Sequence, residues 1–194
     1  MTLVSTLQSK TLSNSPALYN TIIAITGSLL LVFSAKINVP FYPVPQTMQT
    51  FVVVGLGLAL GSRIAGFSVA LYLLQGAAGL PVFAGTPEKG IGLAYMVGPT
   101  GGYLLGFLLA AIAVGLLAER GWDKSILKSF AAALLGTAII FVPGLIWLGS
   151  LIGWDKPILA LGLYPFVLGG LVKSGLSALV FPATWRFLTR KGIV

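Results

Sequence analysis

The chain has no cysteine and no histidine among its 194 residues, and only four acidic side chains. Without thiols or imidazoles there are no disulfides, no zinc or iron-sulfur sites and no histidine-based triad or proton relay. Charge is scarce as well. Charged residues make up 8% of the chain, against about 25% in an ordinary soluble domain. A surface so poor in charge cannot face water all round. Hydrophobic residues reach 57% and mean hydropathy is +0.99, which points to a polytopic protein of the lipid bilayer. The net charge of +8 does not argue for nucleic acid, because the basic residues sit at the edges of apolar segments rather than in a patch.

The few charges divide the chain into long neutral stretches: 11–35, 37–62, 64–87, 90–118, 129–154 and 157–185, the last broken only by Lys173. A helix needs about 20 apolar residues to cross the hydrocarbon core. Spans are expected near 18–36, 46–61, 64–80, 99–118, 129–150 and 163–185, the second and third short and joined by a tight turn at Gly61-Ser62-Arg63. The apolar residues run continuously instead of alternating, which favours helices over a barrel. The fold class is therefore all-α integral membrane, a bundle of six transmembrane helices. It divides into an N-terminal segment 1–17, a transmembrane domain 18–185 and a basic tail 186–194. The first sixteen residues are polar and lack a signal-peptide pattern.

With the N-terminus in the cytoplasm, the inner side receives Lys10, Arg63, Arg120, Lys124, Lys128, Arg186, Arg190 and Lys191. The outer side receives Lys36, Lys89 and Lys156. This bias predicts an N-in, C-in topology. Two apolar but irregular segments then share the outer face: 37–46, with three prolines, and 81–98, dotted with glycine. Irregular backbone at a membrane face packs on protein or lines a cavity, so both are read as a lid over a pocket.

Lys173 is the residue with chemistry. It lies about ten residues into the last span, where a lysine costs ~2.5–3.5 kcal/mol, and no span carries an acid to pair with it. It is either held by helix-end carbonyls or awaits an anionic ligand; the second reading is favoured. Ser177 follows on the same helix face, so a Ser-Lys intramembrane enzyme is conceivable, without an oxyanion-hole signature to support it. Small residues recur at four-residue spacing in Ala24/Ser28, Gly57/Gly61 and Gly102/Gly106. Such pairs allow close helix approach, and Ala24 with Ser28 on the first helix could dock a partner membrane subunit. Tyr42, Phe83, Tyr95, Tyr103 and Tyr164 fall near outer span ends, as an interfacial belt or as walls for a ring-bearing ligand. No Gly-Lys-Ser/Thr loop is present, so an ATP-driven process would need another chain.

Four segments carry a resemblance: Val44-Pro-Gln-Thr-Met-Gln-Thr50, Gly79-Leu-Pro-Val-Phe-Ala-Gly85, Gly98-Pro-Thr-Gly-Gly-Tyr-Leu-Leu-Gly-Phe107 and Gly169-Gly-Leu-Val-Lys173. In this order and spacing the chain resembles the BioY family, the biotin-binding S components of energy-coupling factor (ECF) transporters. The resemblance implies a six-helix protein of the bacterial plasma membrane. It would hold biotin beneath the outer loops, without catalysis or cofactor, and couple to a transmembrane T component and ABC ATPases. Carried over by position, the last-span lysine is Lys173, and the segments around Gly85 and Tyr103 border the ligand. Gln46, Phe83, Thr100 and Tyr164 complete the expected site. One departure stands out. The family motif Gly-Asp-Leu-x-Lys has Gly170 here in place of the aspartate, which keeps a different small vitamin open as the alternative ligand.

Overall fold

The computed structural model describes residues 2, 3, 6, 15–39 and 42–192; Lys10, Pro40, Phe41 and most of the 1–17 segment lie outside them. Helix α1 (Pro16–Lys36) opens with Pro16 in its first turn and Ser15 as N-cap, the serine hydroxyl accepting from the Leu18 amide. Lys36 closes its last turn, where a cation suits the negative end of the helix dipole. Strands β1 (Asn38–Val39) and β2 (Gln46–Thr47) then pair antiparallel, with Asn38 opposite Thr47 and Val39 opposite Gln46.

Helices α2 (Gln49–Leu60) and α3 (Ser62–Ala77) are joined by one residue. Gly61 has φ +81, a left-handed conformation that glycine adopts without steric cost. The Glu119 carboxylate accepts from both the amide and the hydroxyl of Ser62, each at 2.8 Å, and so supplies the cap that glycine cannot. The expected tight turn is thus present, compressed to a single link. The short α4 (Gly92–Met96) leads into α5 (Gly101–Glu119), and a 3-10 turn at Trp122–Lys124 into α6 (Ile126–Ile152). Short α7 (Ile158–Gly162) precedes α8 (Tyr164–Arg190). The basic end of the chain therefore continues α8 as helix through Arg190. Pro143 and Pro182 sit inside α6 and α8, a placement membrane helices tolerate because neighbours satisfy the freed carbonyls.

Among the described residues four helices, α1, α5, α6 and α8, are long and apolar enough to cross a membrane. The expected second and third spans are short: α2 with 12 residues and α3 with 16 reach ~18 and ~24 Å, less than the ~30 Å hydrocarbon core. The approach to α2 carries Pro43 and Pro45, which disfavour helix, and helix begins only at Gln49.

Helix α5 is the centre of the bundle, with over half of its apolar stretch buried, whereas α1 and α8 bury little more than a quarter. Close approach of α5 to α6 depends on Gly102 and Gly106. A Cβ on Gly102 would stand 2.3 Å from the Pro143 carbonyl oxygen, and one on Gly106 would stand 2.7 Å from the Ile140 Cα. Gly57 likewise packs against Val114. Ala24 and Ser28, expected on a docking face, are instead buried inside the chain. Helix α1 packs there on α3: the Ser28 hydroxyl donates to Gln75 Oε1 at 3.0 Å, and Gly27 lies against Ser68. The spacing does mark a close contact, but the helix that meets it belongs to the same chain. What α1 turns outward is Leu18, Ile22, Ile25, Leu29 and Phe33, an apolar face suited to lipid.

At the end of the bundle opposite the loops, Asp123 is buried and accepts a hydrogen bond from Trp185 Nε1. The Lys124 ammonium lies 4.2 Å from the centre of the Trp185 ring. Burial pushes the Asp123 carboxyl above its ordinary value, opposed by the Trp185 hydrogen bond.

Candidate functional site

The two irregular segments meet at one end of the bundle and are held there by specific side chains. The Lys36 ammonium donates to the carbonyls of Pro81 (2.7 Å) and Phe83 (3.1 Å) and to the Thr86 hydroxyl (3.2 Å). The Tyr95 hydroxyl donates to the Ala84 carbonyl at 2.8 Å. Phe83 is fully buried between Tyr95, stacked at 4.8 Å, and Tyr72, edge-on at 5.4 Å. Tyr72 accepts from Gln49 Nε2 at 2.7 Å and donates to the Val82 carbonyl. The second loop is therefore fixed by a cation, two phenols and an aromatic stack, although it has little regular structure of its own.

Beneath these segments lies a cavity enclosing about 640 Å³ of empty space, its open mouth included. Its polar edge comes from Gln46, Thr47, Gln49 and Thr50, where the hairpin runs into α2. Its aromatic walls come from Tyr72 and Tyr95 on one side and from Tyr103, Phe107, Phe141 and Phe166 on the other. Tyr103 and Phe141 meet edge-on at 5.7 Å, and the Tyr103 hydroxyl donates to the Gly162 carbonyl at 2.9 Å. That bond ties α5 to the end of α7. The floor is formed by Thr137, Gly170 and Lys173.

Lys173 is half-buried and is, among the described residues, the one charged residue lining this cavity. Its ammonium donates to the Thr47 carbonyl in a short hydrogen bond and to the Thr50 hydroxyl at 3.2 Å. An ammonium has three N–H groups, so one is left for a ligand. No acidic side chain forms an ion pair with it among the described residues. The Ser177 hydroxyl donates to the Lys173 backbone carbonyl at 3.0 Å. The serine thus bonds its own helix while the lysine reaches away toward β2, and no Ser-Lys dyad forms.

Of the residues expected at the site, Lys173, Gly170, Tyr103, Gln46 and Thr100 all line this one cavity. Three expected residues do not. Phe83 stands one layer back, behind Tyr72 and Tyr95, while its neighbour Ala84 reaches the cavity. Gly85 turns the loop with φ +73 and faces the Lys89 side chain. Tyr164 is 62% exposed and lies outside, in a shallow groove with Trp154 and Lys156; two residues on, Phe166 points inward instead. Gln49, Thr50, Tyr72, Thr137, Phe141 and Phe166 were not anticipated. For Phe166 a signal existed, since Phe166, Gly170 and Lys173 share one helix stripe. For Tyr72, Thr137 and Phe141 none did, because their helices are apolar on every side.

Gly169 and Gly170 act differently. A Cβ on Gly169 would fall 2.0 Å from Gln46 Nε2, so the glycine makes room for the glutamine. A Cβ on Gly170 would meet only Thr137 Cγ2, at an ordinary 3.6 Å, so its place at the cavity floor has space to spare.

Comparison with known proteins places this architecture. Residues 7–190 match the model of the BioY family. The chain is 40% identical over 151 residues to the biotin transporter BioY of Thermotoga maritima, covering 78% of this chain and 86% of that protein. It is 36% identical over 146 residues to a probable biotin transporter BioY of Pyrococcus horikoshii, covering 75% and 83%. The fold matches the crystal structure of the S-component for biotin from an ECF-type ABC transporter with a TM-score of 0.74 at 22% identity, over 90% of this chain and 95% of that one. With its family model matched almost end to end and its cavity formed by the segments that carry the likeness, the chain belongs to the BioY family.

Proposed function

We propose that this chain captures biotin in the cavity above Lys173 and takes it up across the bacterial plasma membrane, as the substrate-binding subunit of an ECF-type vitamin transporter. The observation that carries the reading is the composition of the cavity: aromatic walls, a rim of amides and hydroxyls, and, among the described residues, a single cation at the floor. These match a ligand with an apolar bicyclic ring, a hydrogen-bonding ureido group and a carboxylate on a flexible chain. Lys173 pairs with the carboxylate, and the glutamines and threonines of the rim serve the ureido group. The chain is a transporter subunit and not an enzyme.

The membrane placement belongs to the same proposal. The chain passes the bilayer six times, with α2 and α3 as two short passes about Gly61. The eight-to-three bias of basic residues puts both termini inside and the two loops outside. A transmembrane T component and a pair of ABC ATPases supply the energy, since this sequence has no nucleotide-binding loop.

Equilibrium binding to the purified chain in detergent tests the reading. The expected result is saturable binding of one biotin per chain, with no competition from excess thiamine, riboflavin or folate. Folded protein that ignores biotin, or prefers another vitamin, would overturn it. Within this site, Gly169→Ala is expected to weaken biotin binding about tenfold with little change in thermal stability. The new methyl displaces Gln46, and a lost hydrogen bond to a buried polar ligand group costs about 1–3 kcal/mol. Unchanged affinity would remove Gln46 from the site.

A further inference from the structure

On the outside of the bundle, far from the cavity, α3 presents a ridge flanked by two apolar grooves. The ridge is Arg63, Phe67, Ala70 and Leu74, at the spacing that aligns residues on one helix face; Phe67 is 75% and Leu74 66% exposed. One groove lies between the ridge and α1, where Ala24 and Ile25 form its far wall. The other lies between the ridge and α5, deepened by Gly66 and closed by Ile112. They enclose about 1000 and 800 Å³ respectively, open mouths included. Both contain all four ridge residues, and both end at Arg63.

Two grooves converging on one cation have the shape of a diacyl lipid: two chains, one headgroup. Length agrees. Arg63 to Leu74 is eleven residues of helix, ~16 Å, close to half of the ~30 Å hydrocarbon core. Charge agrees too. Arg63 is exposed and has no hydrogen bond or ion pair among the described residues. Glu119, which binds the neighbouring Ser62, makes no ion pair with Arg63 among the described residues. Among the described residues, neither groove is lined by an acidic one. Asn20 lines the α1 groove, and its Oδ1 is buried without a hydrogen-bond partner among the described residues. Since α1 and α3 run parallel with Gly27 against Ser68, Asn20 lies toward the Arg63 end, where an acceptor suits a hydroxylated headgroup.

We propose that this face binds one anionic, hydroxyl-bearing phospholipid of the phosphatidylglycerol class, its phosphate on Arg63, its headgroup hydroxyl on Asn20 and one acyl chain in each groove. The inference goes beyond biotin capture and uses none of the cavity residues.

Retention of dioleoyl-phosphatidylglycerol and of dioleoyl-phosphatidylcholine by the full chain, measured by native mass spectrometry from mixed micelles, tests it. Wild type is expected to keep one phosphatidylglycerol with about a fivefold preference, the contribution of one basic residue at an anionic membrane surface. Arg63→Gln abolishes the preference and Arg63→Lys keeps it. Ala70→Trp, which fills both grooves, lowers retention of both lipids. Biotin affinity stays unchanged in all three variants and reports that they are folded. Equal retention of the two lipids by wild type, or an unaltered preference in Arg63→Gln, overturns the proposal. So does a copurifying membrane protein that covers this face with no lipid retained.

Discussion

Lys173→Met is expected to weaken biotin binding by about thirtyfold or more and to erase the difference between biotin and biotin amide. Truncating one partner of a buried, hydrogen-bonded charge pair costs about 2–5 kcal/mol. Among the described residues no acid lines the cavity to neutralise the lysine. The amide analogue separates pairing from scaffolding. Lys173 also holds the Thr47 carbonyl and the Thr50 hydroxyl, so its loss loosens the junction of hairpin and α2 whatever the ligand. That structural effect weakens acid and amide alike. Pairing with the carboxylate instead requires that wild type prefer biotin and that the variant show no preference. Equal affinities of wild type for the two ligands would sink the pairing, leaving Lys173 as a brace for the site.

The second large effect is expected at Gly102, on the most crowded helix contact. In Gly102→Val the new Cβ would lie 2.3 Å from the Pro143 carbonyl oxygen and 2.4 Å from the Trp147 Cβ. The first neighbour is backbone, inside a helix, and cannot turn aside. Helices α5 and α6 must separate, and Tyr103 next in sequence loses its place in the wall. Overpacking of a tight core costs about 1–3 kcal/mol, occasionally more, and the upper end applies where backbone is struck. Thermal unfolding in detergent should show a large fall in Tm together with loss of biotin binding. Leu105→Val, at an exposed position of the same helix, serves as the neutral control. An unchanged Tm in Gly102→Val would mean that α5 and α6 are not in this close contact.

How much of this could be read from residues alone follows from how each signal arises. Charges are excluded from hydrocarbon, so their positions alone bracket the long helices, and α1, α5, α6 and α8 lie within a few residues of the expected ranges. The Gly61 turn was legible because a link between two short helices needs a residue free to adopt positive φ. The β1–β2 pairing and the short α4 and α7 left no pattern, since strands of two residues and helices of five are too brief to show a period. Site residues divide along the same line. Lys173 stood out as the one charge inside a span, but its partners Thr47 and Thr50 are more than 120 residues away, beyond any local pattern. Tyr164 and Phe166 are equally aromatic and equally near a span end; only the rotation of α8 sends one outward and the other in. Ala24 and Ser28 show why spacing of small residues marks a close contact without naming the neighbour.

The cavity draws on the chain from Val44 to Lys173, and this has a consequence for biogenesis. Helices α1 to α6 emerge and enter the bilayer before α8 is synthesised, so the early wall residues wait without their cation or their Phe166. Until the last segment docks, the site lacks Phe166, Gly170 and Lys173, and a chain stopped after α6 is expected to bind biotin far more weakly than the full one. Ligand therefore stabilises chiefly the finished protein, by mass action on the native state. Occupancy becomes a certificate that the final helix has inserted, and a cell or an experimenter can use bound biotin as a readout of complete assembly.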